Sequence, residues 1–259
     1  MDAFTMQIAG LVTCVRPLFV STREYCRPYL TEKPAAFFVS VSEADLAYEQ
    51  EMAEKEAVEE GLRIRKFTGP FLERATIQRK IARELLNQDT VLLHGSTVGV
   101  DGEAYLFAAP CGTGKSTHTR LWRELFGPRA VMVNDDKSFL QLCDSGVYAY
   151  GSPWCGKHGL GTNICLPLKG ICFLRRGEEN MIAPGKPEAC LAELRHQCFL
   201  PEDPCGREKA LALVDILSRR VPLWEMGCTK DPEAALVSYK AMSGAAEGSL
   251  ALKNSKGMV

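Results

Sequence analysis

A glycine-rich segment that ends in Lys-Ser-Thr constrains this chain more than any other feature of its sequence. The segment is Cys-Gly-Thr-Gly-Lys-Ser-Thr, residues 111–117. An apolar run over 104–109 predicts a strand before it, and the pattern over 116–126 predicts a helix that ends at Gly127-Pro128. Strand, loop and helix in this order are typical of a phosphate-binding loop, because backbone N–H groups and the positive end of the helix dipole then face one anion.

The residues of this loop have distinct expected roles. Gly112 and Gly114 let the backbone approach a phosphate, and Lys115 can reach the β and γ phosphates as a point charge. The Ser116 hydroxyl is a candidate ligand of Mg²⁺. Ala109 holds the place of the first glycine of the general motif, and an ordinary glycine-rich turn before a helix is the alternative. The predicted nucleotide-binding residues are Cys111, Gly112, Thr113, Gly114, Lys115, Ser116 and Thr117.

Two adjacent carboxylates follow the loop at short range. A short apolar strand over 130–133 runs into Asn134, Asp135 and Asp136, and only one helix, one turn and this strand fit between the loop and the pair. The carboxylates are therefore expected beside the loop, where one binds Mg²⁺ and the other accepts a proton from an attacking hydroxyl. Their proximity is expected to raise the pKa of one of them. The alternative is a pair of surface turn residues.

The composition of the chain limits the class of protein to which it can belong. With 259 residues, of which 46% are apolar, the chain can form one large domain, or a domain with a smaller partner. A formal net charge of −1 offers no positive field for a polyanion, so nucleic acid is not an expected partner. No apolar run approaches the roughly 18 residues that cross a bilayer, so no membrane partner is expected. Eleven cysteines without CxxC pairs and no leader-like start predict a reducing cytoplasm.

Three segments are expected along the chain. Residues 1–69 form a small α+β N-terminal portion, 70–243 a P-loop kinase-like domain, and 244–259 a disordered tail. Ser42 and Asp45 form a helix-capping pair before the acidic run 43–60, which is interpreted as a solvated helix face, with a partner surface as the alternative. Helices are predicted from Pro70 and Asp231 and over 187–198 and 207–219, and further strands over 90–93, 139–142, 147–150 and 170–174.

The order and spacing of these motifs resemble the HPr kinase and phosphoenolpyruvate carboxykinase superfamily. The resemblance covers about 85–175, through 92–96, the phosphate loop and 133–136. It is nearest to compact HPr-kinase-like proteins that have Ser-Thr-His after the lysine and a Gly-Ser-Pro-Trp-Cys-Gly-Lys segment, here 151–157. The resemblance implies an α/β fold with a carboxykinase-type P-loop core. It also implies ATP with Mg²⁺ and transfer of the γ-phosphate to a serine-type hydroxyl of a protein, peptide or small molecule.

The resemblance also implies roles for single residues. Lys115 would bind phosphate, Ser116 would bind the metal, and Asp136 resembles the proton acceptor, which leaves Asp135 to hold the cation. His94 matches a histidine near the active site of the family, although taken alone it is typical of a satisfied core histidine. The 151–157 segment is interpreted from its own residues: a loop with two glycines, a proline, a tryptophan and a lysine can place Lys157 on the transferring phosphate and Trp154 against a substrate or adenine ring. The alternative for that segment is a rigid turn with a packed tryptophan.

Two departures from the family pattern leave the function open. Gly156 stands where the family has a metal-binding glutamate, so a second metal ligand is missing. The late arginine of the family has only a loose counterpart in Arg207. Cys155, His158 and Cys165 lack a fourth ligand, so no zinc site is expected. A nucleotide-binding regulator with little turnover and a carboxykinase-like enzyme remain the alternatives to a kinase.

Overall fold

The computed structural model describes residues 2–59, 61, 63–110 and 112–244, which form a mixed α/β structure with two sheets. This agrees with the predicted α/β class, while the carboxykinase type of core stays a prediction. Cys111 of the predicted nucleotide site lies outside the described residues, as does all of the predicted tail beyond Gly244. Within the described ranges, no helix has both the length and the apolar character needed to cross a membrane.

The first 40 residues build a three-stranded sheet. Strands β1 (Phe4–Ile8) and β2 (Leu11–Arg16) form an antiparallel hairpin, and β3 (Phe37–Ser40) lies parallel to β2. Alternate residues of the hairpin are buried because one face of the sheet packs on helices. Helix α1 (Val20–Tyr25) follows the hairpin, and α2 (Glu43–Glu59) follows β3.

Helix α2 begins at the predicted capping pair. The backbone N–H of Asp45 donates to Ser42 Oγ at 3.3 Å, and the backbone N–H of Ser42 donates to Asp45 Oδ2 at 2.9 Å. Each residue thus satisfies a backbone donor of the other, as in a capping box. The prediction of a helix from this point is confirmed.

Helix α3 (Gly69–Leu85) joins the N-terminal sheet to the rest of the molecule. Its predicted apolar face is buried in one core with β1, β2, Phe139 and Trp154. Glu73 on α3 is fully buried, and its carboxylate accepts hydrogen bonds from Thr22 Oγ1 and from the backbone N–H groups of Leu18 and Phe19 at the start of α1. The core therefore crosses the predicted boundary between residues 69 and 70.

A nine-stranded sheet forms the rest of the scaffold. Its main path runs β4 (Thr90–His94), β8 (Lys137–Cys143), β9 (Gly146–Tyr150), β10 (Cys165–Arg176), β6 (Glu103–Ala108), β5 (Ser96–Val100) and β7 (Ala130–Asn134). Strand β12 (Leu223–Cys228) pairs with β10, and β11 (Met181–Pro184) pairs with β12. The sheet curls because β10 pairs with β9 through its first residues and with β6 and β12 through its later ones.

Helices cover both faces of this sheet. One core includes residues of α5 (Pro187–Gln197) and α6 (Pro204–Arg220), and another includes residues of α4 (Lys115–Phe126) and α7 (Glu233–Ser243). The four helices were predicted, with one correction. Helix α7 was expected to have Asp231 as its N-cap, but it begins at Glu233 and its N-cap is Pro232. Strands β5, β11 and β12 were not predicted.

Candidate functional site

The predicted phosphate loop lies between β6 and α4, in the expected strand–loop–helix order. Gly112 has a φ of +74° and Gly114 a φ of +128°, values that side chains rarely allow and that make glycine the suitable residue at both positions. The backbone N–H of His118 donates to Gly114 O at 2.9 Å and so begins the hydrogen-bond ladder of α4. Lys115 is the first residue of the helix, and its Nζ donates to Ala109 O at 2.7 Å. The amino end of α4 therefore faces the loop, which is the arrangement that binds anions.

One cleft has a volume of about 710 Å³, and a second cleft, which lies beside the loop, has a volume of about 590 Å³. Both clefts have volumes in the range of small-molecule sites. We call the second of these the nucleotide cleft. Its lining includes Gly112, Thr117, Arg176, Gly177, Thr229 and Lys230. Arg176 donates to Gly112 O at 2.9 Å and so braces the loop. Arg176 and Lys230 add positive charge beside the loop. Neither was predicted from sequence, because they meet here only through the pairing of β10 with β12.

His118, the histidine of the Ser-Thr-His run, is buried behind the loop. Its Nε2 lies 3.0 Å from Ser238 Oγ on α7, and Trp122 Nε1 donates to the same hydroxyl at 2.9 Å. Burial lowers the pKa of His118 to about 4, so the ring is neutral at neutral pH. The side chain thus connects α4 to α7 and contributes no positive charge to the nucleotide cleft.

Asn134 positions the two aspartates. It ends β7 and is fully buried. Its Oδ1 accepts from the backbone N–H of Asp136 at 2.8 Å and of Lys137 at 2.6 Å, and its Nδ2 donates to Ser152 O at 3.1 Å. One amide therefore closes the turn that bears the carboxylates and attaches it to the 151–157 segment. The turn-like chemistry of Asn-Asp-Asp was noted from sequence, but this role of Asn134 was not predicted.

Asp136 is in contact with His94 and is influenced by the charge of the loop lysine. His94 Nε2 is 3.2 Å from Asp136 Oδ1. Burial works to raise the pKa of Asp136, but the hydrogen bond and charge of His94 oppose it. The positive charges of Lys137 and Lys115 act in the same direction as His94, and the net result is a pKa below the usual value for aspartate. The expectation of a raised pKa is therefore wrong for Asp136, because His94, Lys137 and Lys115 all favour its ionised form.

Asp135 points toward the 151–157 segment. It is 6% exposed, and its Oδ1 accepts from the backbone N–H of Gly156 at 2.6 Å. A Cβ atom on Gly156 would lie 3.3 Å from Asp136 Cβ and 3.5 Å from Asp135 Oδ2. The position that holds glutamate in the family is thus beside the aspartates here, but it offers a backbone donor in place of a carboxylate.

The donor set at this site fits a magnesium ion. Among the residues that the structure describes, no three His, Cys, Asp or Glu side chains are grouped to hold a metal. Magnesium differs from calcium and zinc in keeping several waters and binding through one or two carboxylates together with substrate phosphates. Asp135, with one oxygen bonded to Gly156, and the hydroxyl of Ser116 in the first turn of α4 provide ligands of this kind.

The remaining predicted residues divide into packed and exposed ones. Trp154 is buried, its Nε1 donates to Arg74 O at 2.8 Å, and its ring meets Phe139 edge to face. The suggestion that Trp154 stacks on a ligand ring is therefore wrong, and the packed-turn alternative describes this residue. Lys157 is exposed at the end of the same segment. Arg207 is exposed in the first turn of α6 and lines neither cleft.

Comparison with known proteins gives a weak structural likeness. No protein-family model matches the sequence, and no curated protein matches it. Among solved structures, the chain is similar to the HPr(Ser) kinase/phosphatase from Coxiella burnetii, with a TM-score of 0.35 and 11% identity over 60% of this chain and 99% of that chain. A likeness at this level carries no information on activity, so the functional argument rests on the geometry of the site.

Proposed function

We propose that this protein is an ATP-dependent phosphotransferase that transfers the γ-phosphate to a hydroxyl group. The observation that carries the proposal is that Asp136 and the start of α4 are joined through two adjacent residues. The backbone N–H of Gly95 donates to Asp136 O at 2.8 Å, and Ser96 Oγ lies 3.1 Å from Thr119 Oγ1, four residues after Lys115. The charge of Lys115 also acts on the Asp136 carboxyl. A phosphate loop and an ionised carboxylate at one place are the two parts that phosphorylation of a hydroxyl requires.

The nucleotide would bind through its phosphates. Backbone N–H groups of the loop and the amino end of α4 attract the phosphate oxygens. Lys115 would exchange its bond to Ala109 O for a charge-assisted bond to phosphate, which is stronger than a neutral one. Arg176 and Lys230 line the same cleft and would add positive charge to it, with Arg176 bonded to the loop at Gly112 O.

Magnesium would be held by Asp135 and Ser116, and it would neutralise charge on the phosphates. Asp135 is suited to this position because the Gly156 N–H and the turn of Asn134 fix its carboxylate before ligand binds. Asp135 Oδ2 would remain to bind the magnesium ion or a water molecule of its hydration shell.

Asp136 would accept the proton of the acceptor hydroxyl. The hydroxyl oxygen forms a bond to the γ-phosphorus while the bond from that phosphorus to the bridging oxygen breaks, and ADP leaves with the electron pair. The proton passes to Asp136 and then to solvent. A lowered pKa keeps Asp136 ionised at neutral pH, and the loose transition state of phosphoryl transfer places more weight on orienting the hydroxyl than on the strength of the base.

A nucleotide-binding regulator is the second candidate. It is favoured by Gly156, whose backbone N–H bonds to Asp135 where the family has a carboxylate. With fewer metal ligands, the protein would bind nucleotide and turn it over slowly. Binding without transfer is the behaviour that separates this candidate from the kinase.

The test measures transfer from γ-labelled ATP together with MgATP affinity by calorimetry. We expect Lys115→Ala to weaken nucleotide binding, and Asp136→Asn to keep binding while losing roughly two to four decades of transfer rate. Asp144→Asn, in the exposed turn between β8 and β9, is the matched control. Wild-type protein that binds no MgATP would exclude both candidates, and binding without transfer would favour the regulator.

A further inference from the structure

A second cleft, of about 710 Å³, opens on the side of α2 and α3. Its walls come from α2, α3 and the segment 196–203, and its lining includes His94 and Lys137. We call it the lateral cleft. None of its lining residues belongs to the nucleotide cleft, so the two cavities are separate.

The lateral cleft borders the proton acceptor. His94, which lines it, lies 3.2 Å from Asp136 through Nε2 and Oδ1. Lys137, which also lines it, follows Asp136 directly and pairs with His94 across β4 and β8. The nucleotide cleft includes the loop that leads to Lys115, whose charge also acts on Asp136. Asp136 is thus in contact with a wall residue of the lateral cleft, and it also experiences the charge of Lys115 at the start of α4.

Four of the charged side chains that line the lateral cleft form two ion pairs. Arg79 Nε lies 2.5 Å from Glu49 Oε1, and the Arg79 guanidinium also lies over the ring of Tyr48. Arg83 Nε lies 2.8 Å from Asp203 Oδ2. Because acidic and basic side chains face one another across the cavity, the cleft favours a ligand with little net charge, or with one charge of each sign.

Gln78 contributes a buried polar group to this wall. The residue lines the cleft and is 6% exposed. Its Nε2 is buried and has no hydrogen-bond partner among the described residues. A buried donor without a partner costs free energy, and a rotation of the side chain that presents the amide to the cleft would let a ligand oxygen recover it. A carbonyl or carboxylate oxygen is the group that accepts from an amide N–H.

We infer that the lateral cleft binds the phosphoryl acceptor, and that this acceptor is a small hydroxyl compound with a carbonyl or carboxylate group and little net charge, such as a free hydroxy amino acid. The volume of the cleft is that of a small-molecule site, the paired charges suit a zwitterion, and Gln78 suits its carboxylate. The inference rests on the proposed function and names its acceptor.

A matched pair of variants tests this inference. Ala44 on α2 is exposed and lines the cleft, whereas Ala47 on the same helix is exposed and does not line it. The probes are L-serine, L-threonine and L-homoserine, with the tripeptide Gly-Ser-Gly as a peptide acceptor. We expect label transfer to at least one of the free amino acids. We also expect Ala44→Phe to raise its KM at least tenfold, while Ala47→Phe leaves the KM unchanged.

Gln78→Leu is a further test variant, because leucine is similar in size to glutamine but lacks the amide group. We expect a similar rise in KM for the amino acid, with MgATP affinity unchanged, because Gln78 does not line the nucleotide cleft. Thermal unfolding checks that this buried change leaves the protein folded. If Gln78→Leu does not fold, the two alanine positions decide the question, because both lie on the surface.

The outcomes separate this inference from the proposed function. Transfer to a protein or to Gly-Ser-Gly but to no free amino acid overturns the inference and supports the kinase. Equal KM values for Ala44→Phe and Ala47→Phe also overturn it. If wild-type protein binds no MgATP, the proposed function fails, and calorimetric titration with the same three amino acids still measures the lateral cleft directly. Absence of binding in that titration overturns the inference as well.

Discussion

His94 Nε2 lies 3.2 Å from Asp136 Oδ1, and this contact links two strands that are distant in sequence. His94 ends β4, while Asp136 lies in the turn between β7 and β8. The backbone N–H of Gly95 donates to Asp136 O at 2.8 Å, so the aspartate is held by its main chain as well. The orientation and the pKa of the proposed base therefore depend on two adjacent residues, Gly95 through the main chain and His94 through the carboxyl group.

Removing His94 is predicted to move the pH dependence of transfer. The hydrogen bond and charge of His94 lower the pKa of Asp136, so His94→Leu should raise that pKa. The base must be ionised, and the acid limb of kcat/KM should consequently shift to higher pH. The measurement is transfer rate from pH 4 to 8, with His158→Leu as the control at an exposed histidine. An acid limb that stays in place would show that His94 does not tune Asp136.

Asp135→Asn is predicted to raise the Mg²⁺ concentration needed for activity. The change neutralises the proposed carboxylate ligand but keeps an oxygen that can accept the Gly156 N–H, so the turn should survive. Excess metal should relieve part of the defect, whereas it should not rescue Asp136→Asn. The measurement is turnover against Mg²⁺ concentration for both variants. Rescue of Asp136→Asn alone would mean that the two roles are reversed.

Lys157→Ala is predicted to lower turnover by about a hundredfold with a smaller change in MgATP affinity, as expected for a lost electrostatic stabiliser. Lys157 is exposed, so unfolding free energy should change by less than about 0.5 kcal/mol. Steady-state kinetics and urea denaturation provide the two readouts. Full activity in the variant would limit the 151–157 segment to the structural role that Trp154 already has.

Acid is predicted to destabilise the fold through His118. Burial lowers its pKa from 6.5 in the unfolded chain to about 4 in the folded protein, so the unfolded state binds more protons between these values. Stability should therefore fall as pH decreases from 6.5 toward 4, by about 3 kcal/mol in total from this residue.

The comparison for this prediction is His118→Gln, which does not titrate in this range. The variant should be less stable than the wild type at pH 7, because it loses the packed ring. Urea denaturation at pH 7 and 4.5 should show the difference shrinking by about 2 to 3 kcal/mol. A difference that is the same at both pH values would contradict the assignment.

The sequence by itself determined the local features of the site. The phosphate loop, the capping pair of α2 and the apolar face of α3 depend on residues within one or two turns of each other, so pattern and propensity suffice to predict them. The adjacency of Asp135 and Asp136 to the loop also followed, because the short spacing leaves few ways to arrange one helix and one strand.

Only the tertiary structure decided what surrounds those local features. Strand β12 is short and pairs with β10 more than 45 positions away, so its hydrogen bonds have no local signal, and Arg176 and Lys230 could not be assigned to one cleft. The lateral cleft likewise combines α2 and α3 with the segment 196–203, more than 100 positions later in the chain. The pKa of Asp136 was predicted in the wrong direction for a related reason. Lys137 is its neighbour in the chain, but His94 comes from β4 and Lys115 from α4, and these two act on Asp136 only when the sheet and helices pack.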